Sequence, residues 1–313
     1  MFDTIIIGAG PAGMSAALYL LREGKKVLLI EKETIGGQIA ESPRLENYPS
    51  IKSISGMDFA SNLFDQISSL GVEFDLDEVI AINKLEERHF KVKTNYNEYE
   101  SKSIIIATGC KHRKLGLPNE EKLTGKGVSY CAVCDGAFYQ GKDVCLIGDA
   151  NTAVQYAISL SSICKSVTIV TLFDKFFADE ILIGRLKTLQ NVKIYHDFAS
   201  KELIGEHNLE GVKFVNTKTN QEMVINCEGL FVAIGQIPDN NRFSSLVDLQ
   251  NGFIVTDESK QTKTPGVYAV GDCTVKKIRQ VVTATSDGAL AAMACEKYVD
   301  SLEKPNSPRI PLA

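Results

Sequence analysis

The N-terminal order of strand, glycine turn, helix, strand and acid constrains this chain more than any other feature. Asp3 to Ile7 is a short β-branched run, and Gly8-Ala9-Gly10-Pro11-Ala12-Gly13 follows at once. Met14 to Leu21 reads as a helix, and Val27 to Ile30 as a second buried strand ending at Glu31. This is the full context of a G-x-G-x-x-G dinucleotide-binding unit. Gly8 permits the tight turn, Gly10 lets a pyrophosphate approach the backbone, and Gly13 lets the helix pack on the strand. The helix N-terminus offers N–H groups and a positive dipole end to the phosphates. Glu31 is placed to accept hydrogen bonds from an adenosine ribose.

The plan recurs. Lys142 to Ile147 is a new strand, Gly148-Asp149-Ala150-Asn151-Thr152-Ala153 its turn, Val154 to Leu160 its helix and Val167 to Val170 the next strand. The first unit closes on Ile104-Ile105-Ile106-Ala107-Thr108-Gly109 and the second on Phe231-Val232-Ala233-Ile234-Gly235. We read this as an internal structural repeat. Near the C-terminus, Val267 to Val270 is a strand followed by Gly271-Asp272, chemistry suited to a ribityl chain and phosphate. Arg279-Gln280-Val281 and Thr283-Ala284 precede a small-residue helix from Asp287 onward. The expected fold is α/β, with two Rossmann-like, ββα-type three-layer nucleotide-binding domains. The first is built from residues 1–114 and 242–302, and the second, residues 115–241, is inserted into it. Glu303 to Ala313 has three prolines and no periodicity, and reads as a disordered tail or an appended remnant.

Between the two units lies Tyr130-Cys131-Ala132-Val133-Cys134-Asp135-Gly136-Ala137-Phe138. A C-x-x-C places two sulfurs close enough to close a small, reducible ring. One thiolate attacks a disulfide and the other resolves the mixed disulfide. An acid directly after the second cysteine offers a proton to the departing thiolate. As half of a zinc site the pair lacks a second C-x-x-C or H-x-H to complete four ligands. The four histidines, His89, His112, His196 and His207, show no metal spacing.

Composition narrows the partners. The 313 residues are 44% hydrophobic and 23% charged, with a net charge of −5, which does not favour nucleic acid. No apolar run has membrane-spanning length, and Ile5-Ile6-Ile7 runs straight into a glycine turn without a basic leader. A cytoplasmic protein is expected, its eight cysteines mostly reduced. Cys110, Cys145, Cys164, Cys227, Cys273 and Cys295 read as small buried hydrophobes.

Over nearly its whole length the chain resembles the low-molecular-weight thioredoxin reductases, within the FAD-dependent pyridine nucleotide-disulfide oxidoreductases. The resemblance rests on Gly8 to Gly13, Gly36-Gly37-Gln38, Glu46-Asn47-Tyr48-Pro49, Cys131 to Phe138, Gly271-Asp272, and Arg279-Gln280-Val281 with Thr283-Ala284. It implies FAD held by Gly8, Gly10, Pro11, Ala12, Gly13, Glu31, Lys32, Gly37, Gln38, Asn47, Val79, Ala107, Thr108, Gly109, Gly271, Asp272, Arg279, Gln280 and Val281. It also implies Cys134 facing the flavin, Cys131 attacking the disulfide of thioredoxin, Asp135 as acid, a homodimer and a hinged second domain.

Two family features are missing. Members that use NADPH carry G-x-G-x-x-A in the second unit, where this chain has Ala150 for the middle glycine. They also carry H-R-R-x-x-x-R after the next strand, where this chain has Thr171, Leu172, Phe173 and Phe177. A 2′-phosphate would meet Leu and Phe instead of guanidinium groups. The pattern is similar to that of the ferredoxin-dependent flavin thioredoxin reductases, which implies ferredoxin as electron donor. The basic cluster Lys111-His112-Arg113-Lys114, with Lys276, Lys277 and Arg279, offers charges that would steer an acidic ferredoxin. Two other readings stand beside this one. The first is an NADPH-dependent enzyme whose atypical pocket is served by Lys175 or Arg185. The second is a non-enzymatic flavin redox sensor.

Overall fold

The computed structural model describes residues 1–42, 45–85 and 89–303. The chain divides into two compact units, Met1–Lys111 with the segment from Ile237 onward, and His112–Gln236.

The first unit is built on a seven-stranded sheet in the order Glu73–Leu76, Val27–Glu31, Phe2–Ile7, Glu98–Ile106, Phe90–Thr94, Val79–Lys84. The long strand Glu98–Ile106 serves two neighbours. Its first half pairs antiparallel with Phe90–Thr94, while Ile104, Ile105 and Ile106 pair parallel with Val267, Tyr268 and Ala269. The C-terminal segment therefore completes the sheet that the N-terminus began.

The β-branched run at the N-terminus makes a strand buried on both faces. Ile6, Leu29 and Ile105 point to one face, and pack with Met14, Ala16, Ala17 and Leu20 of the helix Pro11–Arg22 and Ala291, Ala292 and Val299 of the long helix Val281–Glu303. Ile5, Ile7, Leu28, Ile30, Ile104 and Ile106 point to the other, against Phe90, Val92, Phe243 and Ile254. The period-2 alternation of strand side chains sends consecutive isoleucines to opposite cores. Each fully buried Ile or Leu contributes on the order of 1.5–3 kcal/mol.

The second unit repeats the plan. Its parallel sheet runs Val192–Tyr195, Ser166–Val170, Asp143–Ile147, Gly229–Val232, Val128–Ser129. The helix Asn151–Ser161 buries Ala153, Val154, Ala157 and Leu160 against Val144, Leu146 and Phe231. An antiparallel sheet of Phe198–Ile204, Gly211–Asn216 and Glu222–Asn226 takes the place of the first unit's hairpin strands.

The C-terminal helix corrects one sequence expectation. It begins at Val281, not at Asp287, so Thr283 and Ala284 lie inside it. Three β-branched residues, Val281, Val282 and Thr283, carry weak helix propensity and hid the start. Tertiary packing overrides that preference: the Ala284 N–H donates to the Gln280 carbonyl at 2.9 Å. The helix runs through Glu303, and the rest of the expected tail, residues 304–313, lies outside the described residues. No described helix is long and apolar enough to cross a membrane.

Candidate active site

Each unit contributes a chemically distinct site. In the first, Gly8 has φ +109°, and a Cβ there would sit 2.4 Å from the Ala107 carbonyl oxygen. A Cβ on Gly13 would meet the Gly8 carbonyl oxygen at 2.0 Å. These two glycines are required by the packing of turn on strand. Gly10 differs: its missing Cβ faces open space, with the Gly36 carbonyl oxygen nearest at 3.9 Å. No side chain caps the helix that starts at Pro11, so its first N–H groups are left for an external acceptor. The Gly36 N–H donates to the Ala9 carbonyl at 2.8 Å, bringing the Gly36-Gly37 turn against the Gly8–Gly13 turn.

Glu31 is held on both sides. Its Oε2 accepts from the Ala9 N–H at 2.7 Å and its Oε1 from the Glu33 N–H at 2.9 Å. Gly8, Glu31, Lys32, Val79, Thr108 and Gly109 line one cavity of about 80 Å³. Sequence reasoning missed several other lining residues, among them Asp77, Glu78, Asp239 and Arg242. Arg242 donates to Glu78 Oε1 and to the Val79 carbonyl, both at 2.8 Å, and pairs with Asp239. No sequence signal joins Arg242 to Glu78, because the contact is made only by the fold.

Gly271 has φ +75° and sits against Ala12, whose Cβ a side chain at 271 would meet at 2.9 Å. Asp272 follows, and its Oδ1 is buried without a hydrogen-bond partner. Burial pushes its carboxyl above the usual range, and Lys276 and Arg279 oppose this. The Gly271 N–H donates to Asp287 Oδ2 at 3.2 Å, and Asp287 also pairs with Lys276 at 2.6 Å and Lys260 at 3.0 Å. Asp287 thus ties the Gly271 turn to the long helix, a role the sequence did not reveal. The other expected residues form smaller contacts. Gln38 donates to the Cys110 carbonyl, and Asn47 Nδ2 donates to Gln280 Oε1 at 3.0 Å. Ala107 lies under Gly8, and Val281 opens the long helix.

FAD fits this unit. A glycine faces open space at an uncapped helix N-terminus, a ribose-type acceptor is fixed at Glu31, and Asp272 keeps a buried acceptor oxygen with nothing yet bonded to it. The chain is a flavoprotein, and FAD is its cofactor.

Three of the six lysines and arginines expected to steer a partner are paired with carboxylates. Lys111 pairs with Glu33 at 2.7 Å, Lys114 with Glu121 at 3.6 Å, and Lys276 is committed to Asp287. Arg279 donates to the carbonyls of Asp272, Thr274 and Lys276, with its guanidinium carbon 4.4 Å from the centroid of the Phe253 ring. Arg113 and Lys277 remain exposed.

In the second unit Cys131 and Cys134 form a disulfide, with Cα atoms 5.3 Å apart. The short helix Ala132–Asp135 sets this geometry, and the Cys134 N–H donates to Cys131 Sγ at 3.2 Å. Asp135 is half-buried, and desolvation holds its carboxyl above the usual range, opposed by a hydrogen bond from Ser129. Ser129 Oγ donates to Asp135 Oδ2 at 2.7 Å, and Asp135 Oδ1 is buried without a partner. The other six cysteines are buried free thiols. Burial pushes the Cys110 thiol up to about 12, and Cys164, Cys273 and Cys295 up to about 11, so these four supply no thiolate near neutral pH.

At the second glycine turn, Ala150 is the N-cap of the helix Asn151–Ser161, which no side chain caps. Asp179 sits beside that helix start: its N–H donates to Asn151 Oδ1 at 2.7 Å, and its Oδ2 accepts from Asn151 Nδ2 at 3.2 Å. After the next strand Thr171 is buried and bonded to His196 Nδ1 at 2.7 Å, while Leu172, Phe173 and Phe177 are exposed. Phe173 and Phe177 stack edge to face at 5.4 Å, and the Phe177 N–H donates to the Asp149 carbonyl.

Residues 2–288 match the family described as pyridine nucleotide-disulphide oxidoreductase. A Clostridium pasteurianum protein described as a 34.2 kDa protein in a rubredoxin operon is 41% identical over 95% of this chain and 97% of its own. Thioredoxin reductase of Listeria innocua is 40% identical, over 97% of this chain and 96% of its own. The crystal structure of thioredoxin reductase from Streptococcus pyogenes superposes with a TM-score of 0.92 at 38% identity, covering 96% of this chain and 99% of that one. On these findings the chain belongs to the pyridine nucleotide-disulphide oxidoreductase family and groups there with the thioredoxin reductases.

Proposed function

We propose that this flavoprotein reduces the disulfide of thioredoxin through Cys131 and Cys134, with Asp135 as proton donor and reduced ferredoxin as electron source. The observation that carries the reading is the disulfide followed at once by a carboxyl with one buried, unpartnered oxygen. When bound, FAD would supply the two electrons that open the disulfide, and solvent the two protons that complete the dithiol. The Cys131 thiol releases its proton to solvent, from which Asp135 is reprotonated at the end of the cycle. The Cys131 thiolate attacks the thioredoxin disulfide, and the sulfur that leaves takes its proton from neutral Asp135. Cys134 gives its proton to the Asp135 carboxylate and attacks Cys131 sulfur, and the second thioredoxin sulfur leaves with that proton. The enzyme disulfide is restored and thioredoxin gains two electrons and two protons.

The donor assignment rests on the second unit. A pyrophosphate approaching its helix N-terminus would meet the Ala150 methyl and the Asp179 carboxylate, and a 2′-phosphate would meet Leu172, Phe173 and Phe177. The Clostridium relative's name ties it to a rubredoxin operon, which favours a small redox protein as donor. An NADPH-dependent reading is favoured by the likeness to the Listeria and Streptococcus thioredoxin reductases, and by Lys175, whose ammonium lies 5.6 Å from the centroid of the Phe177 ring. Anaerobic titration of the yellow protein with NADPH, NADH and reduced ferredoxin separates the two: ferredoxin is expected to bleach the flavin. Bleaching by modest NADPH with no response to ferredoxin restores the NADPH reading.

We also infer a homodimer, in keeping with the exposed apolar Tyr19, Met57, Leu290 and Met293 on helices that pack together in the first unit. A cytoplasmic setting suits a catalytic dithiol and six free thiols.

A further inference from the structure

We propose that Ser129 is a positioning residue that fixes which oxygen of Asp135 carries the transferable proton, and this rests on the reading of Asp135 as the acid. Ser129 stands at the end of the strand Val128–Ser129 and is buried. Its Oγ accepts the N–H of Cys131 at 3.1 Å and donates to Asp135 Oδ2 at 2.7 Å. A hydroxyl has one proton. With the Cys131 amide on one lone pair, that proton goes to the short contact with Oδ2 rather than to the Cys131 carbonyl at 3.4 Å. Oδ2 is then an acceptor, so the neutral carboxyl holds its proton on Oδ1, the buried oxygen without a partner. One side chain thereby grips the backbone of one cysteine and orients the acid that serves the leaving thiolate.

The surroundings leave Ser129 as the side chain that orients this acid. Among the described residues no lysine, arginine or histidine forms an ion pair with Asp135. Its titratable neighbours are Tyr139 in the following turn and Tyr156 on the helix Asn151–Ser161. Burial above all, and the Asp135 charge, push Tyr139 up to about 12 and raise Tyr156, so both stay neutral across the working pH range. The hydrogen bond from Ser129 holds the Asp135 carboxyl lower than burial alone would.

The test uses the holoenzyme, chemically reduced to the dithiol and mixed with oxidised thioredoxin, so it does not depend on the electron donor. The exchange rate is followed against pH for wild type, Ser129→Ala, Ser129→Thr and Asp135→Asn. In wild type the rate falls on the alkaline side as Asp135 loses its proton. Ser129→Ala is expected to lower the neutral-pH rate roughly tenfold, about the worth of one hydrogen bond to a charged or reacting group. It also moves the alkaline limb to higher pH, because the bond that favoured the carboxylate is gone. Ser129→Thr keeps the hydroxyl and restores both. If Asp135→Asn keeps the wild-type limb, the acid assignment itself is wrong. If Asp135→Asn abolishes the limb but Ser129→Ala leaves its position unchanged, Ser129 is only structural and the proposal falls alone.

Discussion

Gly10 and Ala150 hold the same backbone conformation at the entrances of corresponding helices, φ −76° and ψ 176° against φ −96° and ψ 179°, and they differ by one methyl group. The repeat has kept the turn and filled the space that the first turn leaves open. The two turns therefore have the same shape but different capacity for a phosphate.

NADPH is expected to bind weakly, and Ala150→Gly alone should not restore it. Each missing arginine–phosphate contact is worth roughly 1.5–3 kcal/mol. The loss of several amounts to orders of magnitude in affinity, as an upper bound. Restoring binding should take Ala150→Gly, Asp179→Asn and arginines at 172 and 173 together. Flavin bleaching against NADPH concentration checks this, and efficient bleaching of the unaltered protein would remove the argument.

Gly10→Val should yield folded but colourless protein. The new side chain points into open space, not into packed atoms, so it blocks the ligand and spares the fold. Gly13→Val should instead unfold the unit, since its Cβ would lie 2.0 Å from the Gly8 carbonyl oxygen. Flavin absorbance per mole of protein, with a thermal melt of the apoprotein, tells the two apart.

The cysteines should separate by role. Cys134→Ser is expected to leave the flavin reducible while stopping electron flow to Cys131. Cys131→Ser should leave Cys134 free to contact the flavin, seen as a long-wavelength charge-transfer band, with thioredoxin turnover lost. Measurable thioredoxin reduction by either variant would overturn the assignment.

Asp135 should make stability fall as pH rises. Its carboxyl is raised above the usual range by burial, so the folded state binds its proton more tightly than the unfolded chain does. Its contribution is fully favourable below the unfolded value and is lost as pH climbs from there through the folded value. Asp135→Asn removes the buried charge. The variant should be as stable as wild type in acid and more stable at neutral pH, while exchanging disulfides more slowly. Paired denaturation curves at the two pH values test the sign.

Much of this was legible in the sequence because it is local. Gly8 to Gly13 must turn tightly wherever the chain goes, since only glycine accepts φ +109° against the Ala107 carbonyl, and Glu31 follows one strand later. Cys131 and Cys134 lie within one helical turn, so three residues of spacing suffice to pair them. The apolar periods gave the strands, except where Val281 to Thr283 disguised the start of the last helix. What the tertiary structure decided is everything joined across long stretches of chain. Arg242 reaches Glu78 and Val79, and Asp287 holds Gly271, Lys260 and Lys276. Whether a lysine is a steering charge or half of a buried pair depends on what folds against it, as Lys276 demonstrates. Desolvation has no sequence signature either. Asp135 and Asp272 look like ordinary acids in the chain, and only burial leaves each with an unpartnered oxygen and a carboxyl that resists ionisation.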